Sequence, residues 1–112
     1  MDITFHNKKL LKQSQDYRKC LKEMGKLRAD LYMMRLNQLH DADVLDDVRN
    51  LPGHFHELTS DRKGQFACDL DQPYRLIFEP HEKPIPTDKD GKCMWLEIKG
   101  VEIIEIDNYH GK

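Results

Sequence analysis

At Leu51-Pro52-Gly53 the spacing of apolar residues changes from three and four to two, and that change sets what the chain can fold into. Upstream, Leu21, Met24, Leu27, Leu31, Met34 and Leu39 recur at helical steps. Such a stripe marks an amphipathic helix. Asp16 is placed to cap it, and the pattern predicts one helix from there to about His40. Gly25 lies inside that helix, at a cost of about 1 kcal/mol relative to Ala. Ahead of it, Asn7 caps a short helix over residues 8–13, with Leu10 and Leu11 facing inward. Ile3-Thr4-Phe5 reads as a short opening strand. Asp41-Ala42-Asp43 leads into a third helical turn carrying Val44, Leu45 and Val48. Pro52 and Gly53 then stop helical structure altogether.

Beyond the switch, residues 54–58, 65–70 and 74–78 alternate in the manner of strands, with polar turns at 59–64 and 71–73. Two successive hairpins make a meander, hence an antiparallel sheet. Residues 79–93 are Pro-rich and charged and are expected to form a mobile insertion. Met94-Trp95-Leu96 is expected to rejoin the sheet. Residues 101–106 form the last strand, with Val101, Ile103 and Glu105 opposite Glu102, Ile104 and Ile106. Its apolar content suggests a central strand covered on both faces. The expected class is α+β, with N-terminal helices packed on one face of a mainly antiparallel sheet of four to six strands.

The 112 residues suit a single domain. No apolar run approaches the roughly 18 residues of a membrane span. The opening residues lack a basic region followed by an apolar core, so no signal peptide is expected. Cys20, Cys68 and Cys93 are odd in number and form no CxxC pair. That pattern fits a reducing cytoplasm better than a disulfide framework. The net charge of −2 is unevenly spread: residues 1–40 carry nine Lys or Arg against four Asp or Glu, and residues 41–61 carry one against six. The basic third suits nucleic acid, an acidic partner or simply a solvated helix surface, while the total argues against broad non-specific DNA binding.

Several side chains could carry chemistry. His54 and His56 are two apart and would share one strand face. Arg62 and Lys63 sit at the adjoining turn, Arg75 projects from the next strand but one, and Tyr109 and His110 follow the last strand directly. Histidine, tyrosine and arginine suit RNA cleavage by the ribose 2′-OH. That reaction needs a base, an acid and cations around the phosphate. Paired histidines supply the first two near neutral pH, and arginine holds phosphate in a bidentate fashion. The same residues also read as solvent-facing strand positions and an ordinary tail. A zinc site from His54, His56 and Cys68 would lack a ligand. Asp88-x-Asp90-Gly91 lacks the later ligands of a calcium loop. No metal or other cofactor is expected.

Leu51-Pro52-Gly53-His54-Phe55-His56-Glu57-Leu58, then Asp61-Arg62-Lys63-Gly64-Gln65-Phe66, Tyr74-Arg75-Leu76-Ile77-Phe78 and the terminal Asn108-Tyr109-His110 resemble, in order, the HigB branch of the RelE/ParE toxin superfamily. The resemblance covers most of the chain, though the helical part matches in pattern more than in residues. It implies a RelE-like fold with a curved sheet. It also implies the toxin of a type II toxin–antitoxin pair, which cleaves mRNA in the ribosomal A site without a metal. The implied partners are the ribosome, mRNA and a HigA-like helix-turn-helix antitoxin, through which alone operator DNA is bound. His110 and His56 would be the acid–base pair, in unresolved order. Tyr109 would position the nucleotide, and Arg75, Arg62 and Lys63, with His54, would hold RNA and its phosphate. Asn108 stands where the family often has Asp, and Thr59 where it often has Lys. The alternatives are a ParE-like gyrase poison or a catalytically weak member serving as an antitoxin or nucleic-acid-binding module.

Overall fold

The computed structural model describes residues 1–108. It is an α+β fold in which three helices pack on a five-stranded mixed sheet. The order across the sheet is β1 (Asp2–Phe5), β5 (Gly100–Asn108), β4 (Tyr74–Pro80), β3 (Phe66–Asp69) and β2 (His56–Glu57). β1 runs parallel to β5, and every other pairing is antiparallel. The meander expected from the alternating pattern is therefore present, with β4 continuing two residues past Phe78.

The helical half departs from the sequence reading in two places: in the first helix Leu10 faces inward as expected but Leu11 is exposed and Gln13 is buried instead, and the long second helix is broken. α1 (Lys8–Gln15) is capped by Asn7, whose side chain accepts from the Leu10 amide at 2.8 Å. Asp16 caps the next helix by accepting from the Lys19 amide. That helix, α2 (Tyr17–Met24), ends at Gly25, where φ is +82° and ψ 161°, and α3 (Lys26–Asp41) starts afresh. The single helix expected over this stretch is thus two. Only glycine reaches this backbone geometry without steric cost. The break also rephases the apolar stripe. α3 turns Ala29, Tyr32, Leu36 and Leu39 inward, whereas Leu27 and Met34 stand 65% and 50% exposed. The Tyr32 hydroxyl, fully buried, donates to the Leu10 carbonyl at 2.8 Å and locks α3 to α1.

The main core lies between the helices and one sheet face, which contributes Phe66, Cys68, Leu76, Phe78, Val101 and Ile103. Burial of each large side chain here is worth roughly 2 kcal/mol. Arg28 of α3 secures the β3–β4 turn: it pairs with Asp71 through two hydrogen bonds and lies 3.5 Å over the Tyr74 ring. Met94-Trp95-Leu96 does not rejoin the sheet. Trp95–Glu97 form a 3-10 turn that buries Trp95 in the main core, edge-on against Phe66. Residues 81–94 close on themselves through a Thr87–Cys93 bridge and the Met94 amide on the Pro86 carbonyl, and are tied to the fold by the His81 amide on the Gly100 carbonyl and the Cys93 amide on Glu57. No described helix is long and apolar enough to cross a membrane.

The helix break has a test of sign. In a continuous helix, Gly25→Ala would stabilise by about 1 kcal/mol. At the observed backbone angles it should destabilise by about 1–2 kcal/mol instead, read from denaturant unfolding.

Candidate active site on the open sheet face

Strand pairing places His56, Ala67, Ile77 and Glu105 in one row across the sheet, and Asp69, Arg75 and Asp107 in the next. Both rows lie on the face away from the helices. A small second apolar cluster of Leu58, Ala67, Ile77 and Ile104 occupies the same face.

The two histidines meet, but not by strand alternation. The strand expected over residues 54–58 is reduced to His56–Glu57, because His54 has φ +51° and turns the chain. Histidine tolerates this left-handed region better than most residues. The turn folds His54 onto His56, with ring centroids 4.1 Å apart and planes 15° from parallel. It also directs the His54 carbonyl at His56 Nδ1, 2.7 Å away. A carbonyl only accepts, so His56 Nδ1 carries the proton and donates. Neutral His56 therefore presents its lone pair at Nε2. His54 Nδ1 lies 3.8 Å from Asp69 Oδ2.

The turn is held from behind by a residue the sequence reading did not single out. Arg35 of α3 is only 7% exposed. Its Nε donates to the Asp69 carbonyl at 2.7 Å, and its NH1 donates to Gln38 and the Pro52 carbonyl. Gly53, at φ +120°, passes so close that an added Cβ would lie 2.8 Å from Arg35 Nε. Nothing in the helical pattern distinguishes Arg35 from a solvated arginine; the adjacent Pro-Gly is the only signal.

The arginines expected to hold phosphate are engaged by carboxylates. Arg75 NH2 lies 3.1 Å from Asp107 Oδ2, and its Nε donates to the same oxygen. Arg62 reaches from the turn after β2 to β5, where its NH2 lies 3.1 Å from Glu105 and 3.8 Å from Asp107. Arg62 NH1 also donates to Gln65. The Asp107 side chain is 10% exposed and that of Arg75 17%, so this is a largely desolvated network. A β-bulge creates it. Ile77 pairs with Glu105 but Phe78 with Ile103, which leaves Ile104 unmatched and swings Glu105 and Asp107 onto the open face. The expected grouping of Glu105 with Val101 and Ile103 fails for this reason. β5 is an interior strand, but no described helix packs on its open face, so it is not doubly covered as expected.

Lys63 is not brought to this network. It lines a separate cavity of about 240 Å³ beyond β2, with Glu57, Ile85 and Cys93. There the Cys93 amide faces the Glu57 carboxylate at 3.3 Å. Burial, and then the hydrogen bond to Glu57, push the Cys93 thiol up to about 12. Asn108 pairs with Tyr74 at the end of β5, beside Arg75. Tyr109 and His110 lie outside the described residues. Among the described residues, no three His, Cys, Asp or Glu side chains converge as a metal site.

No family model matches the chain, and no curated protein matches it.

Two substitutions test this geometry. Gly53→Ala should cost more than about 2 kcal/mol, from backbone strain and displacement of Arg35, and lower the melting temperature accordingly. Cys93 should alkylate far more slowly than an ordinary exposed thiol at mildly alkaline pH, since only the thiolate reacts. Glu57→Gln removes a cause of the raised thiol and should speed that reaction.

Proposed function

We propose that the chain is a RelE-like toxin of the HigB kind, an endoribonuclease that cleaves mRNA on the ribosome without a metal. The observation that carries this reading is His56: its Nδ1–H is fixed on the His54 carbonyl, which leaves Nε2 to act on the face that bears Arg75. The sheet positions of His56 and Arg75 are two strands and one row apart, about 12 Å at normal strand spacing and rise, a gap that a nucleotide can bridge.

In this reading His56 Nε2 takes the proton of the ribose 2′-OH as its oxygen attacks phosphorus. The bond to the 5′-oxygen breaks, and His110 gives that oxygen a proton. Tyr109 positions the base by stacking. Arg75 and Arg62 hold the phosphate, which must first displace Asp107 and Glu105. That competition weakens binding to free RNA and leaves the ribosome to supply the remaining contacts. A HigA-like helix-turn-helix antitoxin would be the neutralising partner, and the cytoplasm the site of action.

A second reading, a gyrase poison or a binding module without catalysis, draws on the same arginine–carboxylate network. It requires neither Arg75 nor Arg62 to leave its carboxylate. Expression of the chain alone separates the two. Growth arrest with ribosome-dependent mRNA cleavage is expected, and His56→Ala or His110→Ala should each reduce cleavage by a factor of about 10² or more while the fold persists by circular dichroism. Undiminished cleavage by both variants would sink the assignment. DNA-damage signalling with intact mRNA would favour the second reading.

A further inference from the structure

The broken helix leaves an apolar stripe exposed among the described residues. Leu27 and Met34 lie seven residues apart on one face of α3, away from the sheet. Beside them, Met33, Met34 and Leu51 line an open groove of about 790 Å³ between α3 and the segment that follows it. Leu51 is 42% exposed. A helix that is apolar on two faces is normally covered on both.

The rim of the groove is acidic, formed by Asp30, Asp41 and Asp47. The Asp41 side chain is 82% exposed, beside the similarly open His40. Asp30 pairs with Lys26 but stays 42% exposed. Asp47 accepts from the Asp43 and Val44 amides and keeps its charge at the surface. A second copy docked about a twofold axis would bring one acidic rim against another.

We infer that this groove is the docking site for a basic amphipathic helix of a partner protein. Its apolar side chains would cover Met34 and Leu51, and its Lys or Arg flanks would meet Asp30, Asp41 and Asp47. The site lies on the helical side of the molecule, opposite His56 and Arg75, and does not depend on the chemistry proposed for them.

The test uses the full chain and a labelled model helix with Leu along one face and Lys elsewhere, read by fluorescence anisotropy. A second probe carries Glu in place of Lys. The Lys helix should bind saturably. Met34→Ser with Leu51→Ser should weaken it about tenfold or more. Asp41→Lys should weaken the Lys helix and favour the Glu helix. His56→Ala should leave binding unchanged, so failure of the cleavage reading leaves this one standing. Circular dichroism checks that each variant folds. Equal binding by the parent chain and the groove variants would overturn the proposal. So would indifference to the charge of the probe. A dimer of the parent chain that Met34→Ser and Leu51→Ser dissolve, seen by sedimentation, would assign the groove to a second copy instead.

Discussion

The buried guanidinium of Arg35 joins the two halves of the molecule. It leaves α3 and donates to carbonyls of the Pro52 turn and of Asp69 at the end of β3. Those contacts fall where the chain passes from helices to sheet, and a buried charge must be satisfied there or the joint opens. The close approach of Gly53 follows from it, and the turn at His54 comes directly after. The stacking of His54 on His56, and the tautomer that the His54 carbonyl enforces, rest on a contact made on the far side of the sheet.

The sheet separates two kinds of surface. One face is filled by the helices and is apolar. The other carries a histidine pair, two arginines and the carboxylates that hold them. The bulge at Ile104 decides which residues of β5 go to which face. Without it, Glu105 and Asp107 would be aimed at the helices, and Arg75 and Arg62 would lose these carboxylates. With it, the open face is electrostatically closed on itself, and any incoming phosphate competes with a carboxylate already in place.

Much of the architecture was legible in the residues. Asn7 and Asp16 cap helices because their side-chain oxygens satisfy amides that have no intrahelical partner. The change to a two-residue period at Pro52-Gly53 marked the helix-to-sheet boundary, and the strands after it follow in order. Other features were hidden for stated reasons. Gly25 inside an apolar pattern fits a tolerated glycine as well as a break, and the pattern continues on both sides. The two-residue alternation of β5 cannot announce a bulge, because a bulge is a register shift relative to a partner strand. Trp95 read as a strand residue because aromatic residues favour strands, but its ring is buried edge-on against Phe66 from a 3-10 turn.

The candidate site divides along the same line. The sequence by itself determined the inventory: His54, His56, Arg62 and Arg75 on or beside alternating segments, with Tyr109 and His110 after the last one. It also determined that His56 and Arg75 share a sheet, since hairpin connections leave little choice of neighbours. Only the tertiary structure decided that His54 turns back to fix the tautomer of His56, that Lys63 belongs to a different cavity, and that both arginines are held by Asp107. These outcomes depend on backbone angles and on strand register, which bring together residues up to 45 positions apart, and no local pattern encodes a distance between segments that have not yet met.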